Sequence, residues 1–398
     1  MVRTRMALVV ATILALGTSP SARQAPLLRS ALHDYRVVTV VEGLEHPWSI
    51  AFLPGGDMLV TEQPGRLRVV RDGRLLADPV PGVPEVLVEP RGGRLATEGG
   101  LLDVALHPDF ASNRLIYLSF SKPNTEASQA TTAVVRGRFE DHRLIAVEEI
   151  FEASTEGRGS YGSRLAFDRE GFLFITVGDR QTQLRGDLSA HPAQDLSNHQ
   201  GTTVRLHDDG RVPIDNPFAA RQDARPEIFS YGHRNAQGLA VHPQTGDIWL
   251  NEHGPQGGDE LNLILPGRNY GWPVVGFGVN YTSGLAIHAG TLQESIEQPV
   301  HFWVPSIAAS GLLIYDGNRF PAWRGNLFVG GLKGEQLARL TLDGQRIVLE
   351  ETLLHGMGRI RDVRQGPDGY IYVAIDGLPV DGKTTPTPIL RLEPAGDN

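Results

Sequence analysis

The chain is 398 residues long, carries 46 acidic against 37 basic side chains for a net charge of −9, and contains no cysteine. The missing thiols exclude disulfide frameworks, thiolate metal sites and cysteine nucleophiles. Interspersed negative charge argues against nucleic acid or an anionic membrane as partner, since both attract broad basic surfaces.

Arg3 and Arg5 precede an apolar run over residues 6–16, followed by small residues through Ala22. This reads as a signal peptide over 1–24, too short in its apolar part to span a bilayer, which takes about 20 residues. Residues 25–398 are then expected as one domain, periplasmic or secreted, with no membrane span.

After this leader one unit recurs six times: an apolar strand, a Pro/Gly/Asp turn and a second apolar strand. The copies begin at Trp48, Leu101, Ser163, Gln237, Ser310 and Ile360. Their spacing leaves room for two further strands each, and four-stranded blades in rings of about 4 to 8 are how propellers are built. The predicted fold is all-β, a six-bladed β-propeller of four-stranded antiparallel blades. The stretches 183–216 and 274–304 are polar or Gly-rich and are expected as long loops over one face, where sites are often built.

Lys333 ends the fifth hairpin, while Arg359 and Arg361 open the sixth and share a face by strand alternation. Equivalent points of propeller repeats recur around the axis, so these cations should meet the Arg234-Asn235 pair that precedes the fourth hairpin. Clustered arginines suit bidentate binding of carboxylate or phosphate, which points to a polyanionic small ligand.

Seven motifs then carry a resemblance: EGGLLDVALHPDF (98–110), YGSRLAFDREGFLFITVGD (161–179), YGHRNAQGLAVHP (231–243), NEHGPQGGDELN (251–262), GRNYGWP (267–273), FPAWRGNLFVGGLKG (320–334) and GRIRDV (358–363). Together they resemble the soluble pyrroloquinoline quinone (PQQ)-dependent aldose sugar dehydrogenases, related to soluble glucose dehydrogenase and also six-bladed propellers. The resemblance implies that Lys333 with Gly334, Arg359 and Arg361 hold PQQ. Arg234 and Asn235 would flank the cofactor, with Glu98 and Tyr281 as further contacts. It also implies Ca²⁺, with Glu260 and Tyr270 matching a structural site and the carbonyls of Gly254 and Pro255 matching a cofactor-bound one; oxygen donors suit this ion. The implied partners are a sugar or alcohol substrate and an unidentified electron acceptor.

Two departures stand out. The family's base histidine, which takes the proton of the sugar C1 hydroxyl, is replaced by Ser160, and a serine hydroxyl has no useful proton affinity near neutral pH. Glu98 stands where the aldose enzymes have Gln, bringing a carboxylate beside an anionic ligand. Asp179, matching the aspartate near the missing histidine, is a substitute base if burial raises its pKa. Three functions remain open from the sequence: a PQQ-dependent sugar dehydrogenase, a non-catalytic ligand-binding propeller, and a calcium-dependent lactonase or esterase propeller, the last disfavoured by the axial cations.

Overall fold

The computed structural model describes residues 26–88, 99–377 and 385–396; the leader over 1–24 and Glu98 lie outside them. Six antiparallel sheets form the blades. Blade I comprises Pro47–Phe52, Met58–Glu62, Arg66–Arg71 and Arg74–Leu75. Blade II comprises Leu101–Leu106, Leu115–Pro123, Ala130–Glu140 and Arg143–Glu152. Blade III is built from Gly162–Phe167, Leu173–Val177, Thr202–Leu206 and Ile228–Tyr231, and blade IV from Ala236–Val241, Ile248–Glu252, Asp259–Ile264 and His301–Trp303. Blade V holds Ala309–Ile314, Leu327–Gly331, Gln336–Asp343 and Arg346–Leu353. Blade VI takes three strands from the C-terminal end, Arg359–Gln365, Ile371–Asp376 and Thr387–Pro394, and its fourth, Tyr35–Leu44, from the N-terminal end; Leu27–Leu28 adds a short fifth strand. The six predicted hairpins are the two inner strands of the six blades.

Each inner hairpin carries a register shift near its start, between Pro47 and Ser49, Leu101 and Val104, Gly162 and Leu165, Ala236 and Gly238, Ala309 and Leu312, and Ile360 and Asp362. Such bulges bend and twist a strand, and recurrence at one point of every repeat turns six strands alike around the axis. Apolar clusters then seal each joint between neighbouring blades. Leu59, Leu101 and Phe120 join I to II; Tyr117, Leu165 and Val204 join II to III; Phe174, Leu239 and Leu250 join III to IV. Trp249, Leu312 and Val329 join IV to V; Trp323, Phe328 and Ile360 join V to VI; Ile50, Val60 and Ala374 close VI onto I. Each large apolar side chain buried this way contributes about 1.5–3 kcal/mol.

The axis itself is polar. Arg164 is buried, donating to Asp362 Oδ1 at 2.9 Å and to the Gln237 carbonyl at 2.6 Å. Arg364 spans the same carboxylates, reaching Asp362 at 2.8 Å and Asp103 at 3.0 Å. Ser49 donates to Asp103 at 2.5 Å, and Arg164 stacks over Trp48 at 4.0 Å. Two aspartates thus offset two arginines along the axis, an arrangement that is costly to break from one side only.

The stretch 183–216 is not loop throughout, because Thr202–Leu206 is the third strand of blade III, paired in register with Leu173–Val177. Its alternating side chains, bounded by Gly201 and by a turn at 207–210, are a strand signal masked by the polar run before it. The stretch 274–304 is loop as far as Val300, fixed by bridges Asn269↔Ile296 and Gln256↔Val279, and its end forms the strand His301–Trp303, the fourth of blade IV.

Candidate active site

Blade-end positions gather the cations. Arg234, between blades III and IV, donates through Nη1 to the carbonyls of Gly254 at 2.7 Å and His253 at 3.2 Å. Arg361 donates to Gln237 Oε1 at 3.0 Å, and Arg359 to the Leu332 carbonyl at 3.2 Å, one residue before Lys333. The Arg359 and Arg361 guanidiniums lie 3.8 and 3.9 Å from Asp376, whose other oxygen meets His46 at 2.9 Å. His253 records their convergence: burial, then Arg361 and Arg234, with a smaller push from Arg359, lower its pKa to about 3. The imidazole is therefore neutral among three fixed positive charges. Lys333 is solvent-exposed at the tip of blade V, where its N–H and that of Gly334 both donate to the Ile307 carbonyl.

Asn235 is fully buried and structural in its bonding: Oδ1 accepts from Gly162 N at 3.1 Å and from Gln237 Nε2 at 3.2 Å. Beside it, Asp179 is sealed from water. Its Oδ2 accepts the Trp272 indole N–H at 2.9 Å and its Oδ1 accepts Gln181 N at 2.9 Å. Burial raises the Asp179 pKa, over the opposing pull of Arg234. Ser160 is 1% exposed with φ of 43°, and its carbonyl accepts from the buried Arg180 at 3.0 Å. A hydroxyl stands at that point, as the sequence states.

Glu252 and Glu260 face each other across the second and third strands of blade IV. Glu252 accepts from His233 Nδ1 at 2.8 Å and from Arg234 N at 2.5 Å, and Asn262 Nδ2 reaches both Glu252 and Glu260, at 3.1 and 3.3 Å. Burial first, then the Glu252 charge, raises the Glu260 pKa well above the usual carboxylate range. Two facing carboxylates, Glu252 buried and Glu260 partly so, offer oxygen donors of the kind that suit a hard cation such as Ca²⁺. The Tyr270 hydroxyl is committed, donating to the Leu263 carbonyl at 2.5 Å and accepting Leu265 N at 2.9 Å, so Tyr270 has only its main chain to offer. The Gly254 carbonyl, by contrast, already holds the Arg234 guanidinium, which does not fit a second cation there as the side chains stand. Among the described residues no group of three or more His, Cys, Asp or Glu side chains forms a metal cluster.

A small cavity lies beside this cluster, lined by Arg234, His253, Gly254, Pro255, Glu260 and Tyr270 together with Trp272 and His288, but not by Lys333, Arg359, Arg361, Asn235, Asp179 or Ser160. Tyr281 is 62% exposed and does not line it. Trp272 links the wall, with Arg234 over its ring at 5.3 Å and the His288 ring edge-on at 5.6 Å. Its role was not read from the sequence, although GRNYGWP contains it. Glu252 sits inside NEHGP in the same way. His288, flanked by Ile287 and Ala289 in a segment without a motif, gave no signal.

The glucose/sorbosone dehydrogenase family pattern matches residues 44–383. The chain is 42% identical to aldose sugar dehydrogenase YliI of Escherichia coli, over 85% of this chain and 90% of that protein. A solved glucose dehydrogenase superposes with a TM-score of 0.82 at 44% identity, covering 90% of this chain and 99% of that one. The PQQ-bound aldose sugar dehydrogenase of Streptomyces coelicolor superposes with a TM-score of 0.66 at 27% identity, covering 94% and 99%. Among the described residues no helix is long and apolar enough to cross a membrane. With its six blades and these relatives in agreement, the chain belongs to the glucose/sorbosone dehydrogenase family.

Proposed function

We propose that this protein is a PQQ-dependent dehydrogenase that oxidises an aldose at C1 to the lactone. The observation that carries the reading is that three guanidiniums are held in place close together, Arg234 on the His253 and Gly254 carbonyls, Arg361 on Gln237 and beside Asp376, and Arg359 on the Leu332 carbonyl and beside Asp376; their charge, with burial, keeps His253 neutral. Three guanidiniums around one uncharged ring favour an anionic guest, and arginine is suited to carboxylates held bidentately. PQQ, when bound, supplies a tricarboxylate for these residues and a quinone that accepts two electrons.

The chain's own residues do the rest. Gln237 and Asp376 hold Arg361 in place, and the Leu332 carbonyl and Asp376 do the same for Arg359. Such fixed charges stabilise negative charge without reorganising. Arg234 packs on Trp272 in the cavity wall, and Lys333 is exposed at the tip of blade V. Glu260 with Glu252 is the pair suited to Ca²⁺. Export from the cytoplasm follows from the leader-like residues 1–24.

The test adds PQQ and Ca²⁺ to purified protein and follows both binding, by the quinone absorbance, and aldose-dependent reduction of an artificial electron acceptor. Binding with turnover bears the reading out; absence of PQQ binding sinks it. A second reading, a propeller that binds PQQ without turnover, is favoured by one observation, the serine at position 160.

A further inference from the structure

Because every inner hairpin shifts register at one point, residues of neighbouring blades can be matched around the axis. Pro47 pairs with Glu62 just before the shift of blade I, as Ile360 pairs with Ile375 just before that of blade VI. One residue earlier stand His46 and Arg359, which therefore occupy the same axial point of adjacent blades. His46 is held there at φ 49°, in the left-handed region that a residue with a Cβ seldom adopts, and its carbonyl accepts Gln63 N at 3.1 Å. Backbone strain of this kind persists where the surroundings over-determine it, often at functional sites.

The His46 side chain is 7% exposed, and its Nδ1 lies 2.9 Å from Asp376 Oδ1. A carboxylate only accepts, so in the neutral ring Nδ1 carries the proton and Nε2 the lone pair. Asp376 Oδ2 faces Arg359 at 3.8 Å and Arg361 at 3.9 Å. One buried carboxylate is thus shared between an imidazole and the two guanidiniums. The remaining charges packed around His46 come from blade I: Glu45 precedes it, and Glu62 accepts Glu45 N at 2.7 Å while meeting Arg66 at 2.6 Å and Arg68 at 3.2 Å. Glu62 is therefore committed to its own arginines. His253, the other imidazole beside Arg359 and Arg361, has a pKa of about 3 and stays neutral near neutral pH.

We propose that His46 is the positioning residue for Arg359 and Arg361, acting through Asp376, and that it takes up a proton when an anionic cofactor binds them. The proposal rests on the dehydrogenase reading, in which that cofactor is PQQ. An anion on the two arginines brings negative charge beside Asp376. A proton on His46 Nε2 sets positive charge on the other side of that carboxylate and offsets the repulsion. The protonated ring is therefore favoured more in the complex than in the free protein, so binding raises its affinity for the proton. By linkage, cofactor affinity rises as pH falls through the imidazole range and levels off once both states are protonated.

The test measures PQQ affinity by quinone absorbance between about pH 5.5 and about pH 8.5, across the range in which an imidazole ordinarily titrates, for the unmodified protein, His46→Gln and Asp376→Asn. The unmodified protein is expected to bind about tenfold more tightly at the acid end. His46→Gln keeps a donor for Asp376 but cannot titrate here, and is expected to vary by less than about twofold over the same range. Asp376→Asn, which removes the charge that couples ring to arginines, should lose the pH dependence as well, and it decides the matter if His46→Gln fails to fold. Calorimetry at about pH 7 in two buffers of different ionisation enthalpy should show uptake of about half a proton by the unmodified protein and none by His46→Gln. Without any cofactor, ¹⁵N NMR at the alkaline end should show His46 as the Nδ1–H tautomer. A pH dependence that survives in the variants, an equal loss of affinity at every pH, which marks a merely structural role, or an Nε2–H tautomer each overturns the assignment. If the unmodified protein fails to bind PQQ at every pH, the dehydrogenase reading falls first and the proposal falls with it, an outcome distinct from those three.

Discussion

The indole N–H of Trp272 donates to Oδ2 of Asp179 at 2.9 Å, tying the long segment between the third and fourth strands of blade IV to the end of the second strand of blade III. Since Gln181 N takes the other carboxylate oxygen at 2.9 Å, Asp179 acts as a fixed acceptor that positions the cavity wall. Trp272→Phe is therefore expected to cost about 1–3 kcal/mol, the penalty for leaving a buried acceptor unsatisfied. The shift in urea midpoint measures it. PQQ binding should weaken as well, because Arg234 leans on this ring.

Arg361 is held by Gln237 and lies 3.9 Å from Asp376, so its charge is fixed before any ligand arrives. Arg361→Met keeps the volume of the stem and removes the charge. We expect PQQ affinity to fall by about 10- to 100-fold, the equivalent of losing one charge-assisted hydrogen bond. Titration with PQQ followed by absorbance reads this directly, and an unchanged affinity would remove Arg361 from the binding set.

Acid stability should report the axial network. Burial opposes ionisation of Asp362, but Arg364 and Arg164 outweigh it and lower the pKa below its ordinary 3.8. A depressed folded-state value means this stabilisation is present above the unfolded value and is lost as pH falls below 3.8 and through the lowered folded one. Asp362→Asn should flatten that acid-side slope and, by leaving Arg164 with a weakened partner set, cost about 3–5 kcal/mol at neutral pH. Denaturant unfolding at a series of pH values checks both.

Calcium should stabilise the protein without any cofactor. Glu260 stands partly buried opposite Glu252 with its pKa raised, so a bound cation relieves both desolvation and mutual repulsion. At a hundredfold excess over its dissociation constant the ion is expected to add about 2.7 kcal/mol. Thermal unfolding with calcium and with chelator measures this, and Glu260→Gln should reduce the difference sharply.

The ring itself was legible because each blade repeats one hairpin with the same turn chemistry, and the six starting points at Trp48, Leu101, Ser163, Gln237, Ser310 and Ile360 all fall on inner strands. The strand at Thr202–Leu206 was hidden because only five residues alternate there, inside a run of Ser, Asn, Gln and Asp. Likewise the arginines were predictable from position, since equivalent blade ends meet around an axis. That Arg234 rests on the Gly254 carbonyl was not, because side-chain direction depends on Trp272, which arrives from 38 residues further along the chain. His288 was invisible for the same reason: its surroundings are made by Pro273, Gly276 and Trp272, and no local pattern announces them.

Blade VI is completed by strands from opposite ends of the chain, with Tyr35 paired to Pro394 and Leu44 to Thr387. The first strand made must wait for the last, so the closing contact spans nearly the whole sequence and its entropy of loop closure is met only at the end of folding. A chain interrupted before Thr387 has an open ring and two bare strand edges, the feature that invites edge-to-edge aggregation. Completion of synthesis is therefore itself the latch, since only the last strand covers the edge that Tyr35–Leu44 otherwise leaves bare.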